Sequence, residues 1–165
     1  KAWDRSMVEI RKSIGPNTGA LGYSSRVPDY PDIPARTGAM ATALAITGEE
    51  PKMAKGFANA LVKYQARMRH AHSMTSIGLI YGMAGIKSVN PEAHGAVMKK
   101  WIPYLELCRT SVGTAAYFGS KRNYAGDAYL GYHPIGNATV ALMLAGSDSK
   151  LFIHAGTKRN WLGKP

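Results

Sequence analysis

Residues 3–48 of this 165-residue chain can be laid on residues 101–146 by a shift of 98 positions, with no gap. Trp3 then meets Trp101, Arg11 meets Arg109, Ser13 meets Ser111, Gly15 meets Gly113 and Asp29 meets Asp127. Gly38, Ala43, Leu44 and Gly48 fall on Gly136, Ala141, Leu142 and Gly146. The identities are few, but they gather at helix ends and turns, where glycine is hardest to replace. A chain that repeats in this way builds its core by stacking copies of one supersecondary unit, so architecture is constrained before function is.

The unit can be read from hydrophobic spacing. Trp3, Met7, Ile10 and Ile14 recur at one face of a helix that Gly15-Pro16 ends. A proline-rich stretch of some twenty residues comes next, without periodicity, and a glycine- and tyrosine-rich stretch lies after residue 112. Loops of that length in compact domains are functional or tightly packed. A short, small-residue helix is expected from Arg36 to Thr47, with Thr37 as N-cap and Gly48 as its stop. Pro51 opens a longer helix expected to reach about His70. Ser73 would cap a second apolar helix closed by Gly85. Asn90-Pro91 would open a third long helix to about Ser111, with Pro103 inside it, and a last apolar helix is expected from Ile135 to Ala145, ended by Gly146.

Long one-sided helices therefore alternate with short helices that are apolar all round, in units of about 3–48, 51–85 and 92–146. Helices apolar on every side must be buried on every side. The expectation is an all-α fold: an α/α barrel or toroid arc of three outer–inner helix pairs with two long loops, spanning residues 1–149. Residues 150–165 read as a basic tail or the start of a further element. A plain helical bundle is the alternative. The chain begins at Lys1 rather than methionine and reads as a piece of something longer.

Three stretches, R-T-G-A-x-x-x-A-L-A-x-x-G at 36–48, H-A-H-S-M-T-S-I-G-L-I-Y-G at 70–82 and G-Y-H-P-I-G-N at 131–137, resemble the toroid of an uncharacterised bacterial family of multidomain proteins that often carry a PDZ module. The wider group is the terpenoid-cyclase and prenyltransferase-like α/α toroids. The resemblance implies a ring of about twice as many helices, completed by the rest of the protein or by a second copy. An exported location, periplasmic or extracellular, is expected for such a bacterial protein.

In an arc of this kind the N-termini of the inner helices share one mouth. Arg36, His72 and His133 would stand there, with Arg26, Tyr23 and Asp29 from the first long loop and Arg122, Tyr124, Asp127 and Tyr132 from the second. Net charge is +11, and helix N-termini favour anions. Arg36, Arg26, Tyr23, Asp29, Tyr132 and Arg122 are thus candidates for binding an anionic ligand or a glycan, tyrosines offering stacking and hydrogen bonds. His72, His133, Tyr124 and Asp127 are candidates for lyase-like catalysis, in which a cation neutralises a uronate while a base takes its proton. The same residues equally suit knitting loops to a barrel, and a purely structural or oligomerisation role stays open.

Other chemistries find little support. The D-x-D-D motif of cyclases, the Cys-Gly-x-Gln thioester and the phosphate-binding glycine loops are absent. The lone Cys108 excludes an internal disulfide and reads as a small core residue. No cofactor or metal is expected: His70, His72 and Asp127 are the nearest set, with Cys108 set apart in an outer helix. His94 is expected to be exposed. The apolar runs are too short to cross a bilayer, and no nucleic-acid module accompanies the charge, so sequence-specific recognition of DNA or RNA is not expected.

Overall fold

A computed structural model describes residues 2–29, 33–73, 75–115 and 132–148. Within them lie six α-helices: α1 (Ala2–Lys12), α2 (Ile33–Thr47), α3 (Pro51–Lys63), α4 (Thr75–Val89), α5 (Pro91–Leu107) and α6 (Tyr132–Asp148). A 3-10 segment, Gln65–Ser73, joins α3 to α4. The described residues form no β-strand, only isolated bridges such as Ile14–Leu21 and Arg109–Ala115. The fold is all-α.

The helix starts obey simple rules. Prolines 34, 51 and 91 sit in first turns, where a missing N–H costs nothing. Asn90 caps α5 by accepting from Ala93 N at 3.0 Å. Gly48 ends α2 with φ 62°, its N–H reaching Leu44 O at 2.8 Å, the left-handed stop expected from the sequence.

Several boundaries depart from expectation. Thr37 is no cap: α2 begins at Ile33, and Thr37 lies buried inside it, its hydroxyl accepting from Leu21 N at 3.0 Å. The helix from Pro51 ends at Lys63, and the tighter 3-10 segment takes over. That change lets Met68 and Ala71 turn in against Gly78 and Gly82 of α4. α4 opens at Thr75 and continues through Gly85 to Val89, and α6 continues through Gly146 to Asp148. α5 stops at Leu107 rather than Ser111, and runs through Pro103, which faces solvent.

α4 organises the molecule. It packs against α2, α3, the 3-10 segment, α5 and α6, and α3 and α5 also reach α2 and α6 respectively. Leu79, Met83 and Ile86 of α4 join Phe57 and Leu61 of α3, Leu44 of α2, and Val97, Trp101 and Leu105 of α5 in one core. Each large member contributes about 1.5–3 kcal/mol by leaving water. His94 belongs to this buried face of α5, contrary to its expected exposure.

Small residues let α2 and α4 meet backbone to backbone. A Cβ on Gly38 would strike the Tyr81 carbonyl and come within 2.8 Å of Gly82 N, and one on Gly85 would lie 2.7 Å from Gly38 Cα. Gly85 is thus a contact residue, not a stop. The two helices run the same way: the ends of both, at Ala45–Gly48 and Ser88–Asn90, line one cleft of about 450 Å³ with the start of α3. α3 runs back: Tyr64, at its end, packs against the cluster that holds Ile33, at the start of α2.

α1 and α6 depart from the layered scheme. α1 makes no helix–helix interface comparable to the others among the described residues, and is held by buried Met7 and the Arg11–Glu50 ion pair. α6 is buried along Gly136, Thr139 and Met143 but open on its remaining faces. It is therefore not enclosed on all sides, although its composition matches that of α2 and α4.

Candidate functional site

The end of the molecule where α2 and α4 begin is also where α3 and α5 finish. Three tyrosines at this pole hold cations over their rings. Arg36, in the first turns of α2, lies 4.2 Å above Tyr23 of the preceding loop. Lys63 and Arg67 stand 5.0 and 5.1 Å from the Tyr64 ring. Arg69, in the 3-10 segment, stands 4.9 Å from Tyr104, near the end of α5. Such contacts hold a cation in place while leaving its charge intact, each stabilising by about 0.5–1 kcal/mol at exposed sites.

The helix ends do not supply the anion-favouring dipole that the sequence leads one to expect. Helix N-termini of α2 and α4 and C-termini of α3 and α5 alternate at this pole, so their end dipoles oppose one another. Among the described residues, Glu106 near the end of α5 pairs with Arg109 at 3.3 Å, and Asp29 is hydrogen-bonded within its own loop.

Asp29 accepts from Thr18 N at 3.1 Å, Thr18 Oγ1 at 2.8 Å and Asn17 Nδ2 at 2.7 Å, with a longer bond from Asn17 N at 3.3 Å. Desolvation pushes its pKa up, but these hydrogen bonds outweigh it and hold the carboxyl below its ordinary value. Gly15 and Gly22 leave the space this loop closes into: a Cβ on either would strike the Asp29 carboxylate or the Pro28 carbonyl. The first long loop is thus a built structure, pinned to α2 through Thr37 and presenting Tyr23, 58% exposed, and exposed Arg26 at its surface.

Of the residues singled out from sequence, Arg36, Tyr23, Arg26 and Asp29 therefore come together in one loop–helix unit. His72 lies on the 3-10 segment just before α4, and Tyr132 and His133 in the first turn of α6, all by backbone position. Tyr124, Asp127 and Arg122 lie outside the described residues, as does the basic tail 150–165. Lys63, Tyr64, Arg67, Arg69 and Tyr104 were missed by sequence reasoning. Local sequence carries no signal for them: Arg67 and Arg69, two residues apart on the 3-10 segment, reach different rings, Tyr64 and Tyr104.

Among the described residues no group of three or more His, Cys, Asp or Glu side chains could hold a metal ion, and no helix is long and apolar enough to cross a membrane. Cys108 is buried beside the end of α5. A second cleft, about 360 Å³, lies between the end of α5 and α6, with Leu105, Val140, Ala141 and Leu144 as its apolar walls.

Comparison with curated proteins and with solved structures finds no match. Residues 16–154 match one family model, described as a domain of unknown function (DUF6288), and the match begins just after α1, the least integrated helix. The chain belongs to the DUF6288 family.

Proposed function

We propose that this DUF6288 domain binds an acidic ligand, such as an anionic glycan, at the pole where Arg36, Arg67 and Arg69 are stacked on tyrosines. The tyrosine-held cations carry the reading: three rings at one end of a helical layer each hold a cation in place. A carboxylate or sulfate meets charges already fixed in position, so less side-chain entropy is lost on binding. Exposed Tyr23 adds a flat face for a sugar ring. Asp29 acts here by fixing the loop, not by touching the ligand.

The same reading takes α2, α4 and α6 as the inner wall of an α/α toroid arc and α3 and α5 as its outer wall, the pole being the mouth. The contact pattern supports this order, with α4 between its neighbours and each outer helix bridging two inner ones. Lyase chemistry stays an expectation of the sequence, since His72, His133, Tyr124 and Asp127 bring no described side chain to the pole.

The test separates a site from a field. Arg36→Gln with Arg67→Gln removes two charges from the pole, and Lys52→Gln with Lys55→Gln removes two from the opposite end. Binding to sulfated and uronate-containing glycans is measured by calorimetry near physiological salt, where distant charges are screened. The pole variant should lose at least about tenfold in affinity and the control far less. Equal losses would reduce the interaction to net charge and end the proposal.

A further inference from the structure

The 3-10 segment that joins α3 to α4 runs from Gln65 to Ser73, longer than such helices usually are. Its winding of three residues per turn sorts Q-A-R-M-R-H-A-H-S into three rows. Gln65, Met68 and Ala71 form one, in which Met68 and Ala71 are buried against Gly78 and Gly82 of α4. By register, Ala66, Arg69 and His72 form the second row, and Arg67, His70 and Ser73 the third. The segment contains no acidic residue.

The buried row fixes where the other two lie. They stand about 120° to either side of it, so Arg67 and Arg69, though only two positions apart, leave the segment on different sides. The rings that hold them agree. Arg67 stands 5.1 Å from Tyr64, at the end of α3, and Arg69 stands 4.9 Å from Tyr104, near the end of α5. α3 and α5 both pack on α4 and share no major interface with each other. The two guanidinium groups are therefore on the order of 10 Å apart, about one helix width. The face between them is open, with Ala66 and His70 exposed. A charge-assisted bond to a guanidinium closes at about 2.7–2.9 Å, so one carboxylate or sulfate cannot reach both.

We propose that the pole takes two anionic groups carried on one chain: a linear acidic oligosaccharide lying across the 3-10 segment over Ala66 and His70, with one anion at Arg67 and another at Arg69. This rests on the reading of the pole as an acidic-ligand site and adds a length requirement to it. Lys63, 5.0 Å from the same ring as Arg67, strengthens the first point. A guanidinium has five N–H donors, so one already held by its neighbours can still meet an anion. Once the first anion is seated, the second contact is an intramolecular step, whose gain depends on the ligand spanning both cations. Single-stranded nucleic acid also spaces its charges along a chain, but it draws much of its affinity from bases stacked on aromatic faces. Tyr64 and Tyr104 already carry cations on their faces, which favours a ligand without bases.

Galacturonate oligomers, from the monomer to about six units, are titrated into the wild-type protein by calorimetry near physiological salt. Affinity should stay weak until the oligomer spans both arginines, rise there by at least about 100-fold, and then level. Arg67→Gln and Arg69→Gln should each return a long oligomer to the affinity of a short one, and combining them should add little. Tyr104→Leu should act as Arg69→Gln does, whereas Tyr104→Phe, which keeps the ring, should bind as the wild type does. The length series needs no variant, so it decides even where a substitution disturbs folding. An affinity that only grows in proportion to length, or equal losses at every length from both arginine variants, would overturn the bridging while leaving the pole an acidic-ligand site. No binding at any length would remove both readings. An oligonucleotide of equal charge that bound as tightly would overturn the choice of a glycan.

Discussion

A single methyl group placed on Gly38 should destabilise this protein, and the same methyl on Gly56 should stabilise it. Both glycines lie inside helices, where alanine is favoured over glycine by about 0.8–1 kcal/mol. At Gly56 of α3, an added Cβ meets nothing within 4 Å, so the gain is realised. At Gly38 of α2 the new atom strikes the Tyr81 carbonyl of α4, with Gly82 N at 2.8 Å. Those are backbone atoms of the most enclosed helix and cannot turn aside as a side chain would. Overpacking of this kind costs typically 1–3 kcal/mol, here at the upper end, so the net loss is about 2 kcal/mol after the helix gain. For a chain of this size that is a Tm lower by about 4–8 °C for Gly38→Ala, against a rise of about 2–4 °C for Gly56→Ala. Thermal unfolding monitored at 222 nm, with guanidinium titration as a second measure, reads both signs in one experiment. If Gly38→Ala left Tm unchanged or raised it, α2 and α4 would not cross at van der Waals contact and their packing in the core would be wrong.

Asn90→Ala removes the only side-chain cap seen on α5 and should cost about 1 kcal/mol by chemical denaturation, with Asn90→Asp retaining most of the stability. The Asp29 carboxyl titrates below its unfolded value, so the stability it lends is complete above the unfolded pKa, near pH 4, and is lost as pH falls through the lower folded value. The protection of the Thr18 amide, taken against its intrinsic exchange rate, should accordingly fall below about pH 4, and Asp29→Asn should lower it at neutral pH while leaving α4 protected.

Much of the fold was legible because apolar spacing and proline placement act locally. Prolines 51 and 91 and Gly48 mark boundaries by rules that need no tertiary partner, and all three stood where the chain predicted. Gly85 did not, because glycine serves equally as a left-handed stop and as a site of close approach, and only the neighbouring helix decides; Gly146 also lies inside its helix, but with open space where a Cβ would stand. Thr37 looked like a cap for a related reason: its hydroxyl is committed to Leu21 across the loop, a bond invisible in local sequence. His94 could have been read correctly, since it precedes Met98, Trp101 and Leu105 at helical spacing on the buried face. Of the candidate site, the loop–helix pair of Tyr23 and Arg36 was visible as residue types at one mouth. The stacks on Tyr64 and Tyr104 were not, because they depend on the 3-10 segment turning Arg67 and Arg69 toward neighbouring helix ends.

The placement of α4 has a consequence for how the protein is made. It leaves the ribosome before α5 and α6, which cover it, so an almost wholly apolar rod waits while roughly sixty more residues are synthesised, about 3–12 s at ordinary translation rates. During that interval α2 and α3 shield only part of it. Nascent chains halted before α6 should therefore recruit chaperones more strongly than chains released after it, and slow codons between α4 and α6 would lengthen the vulnerable period.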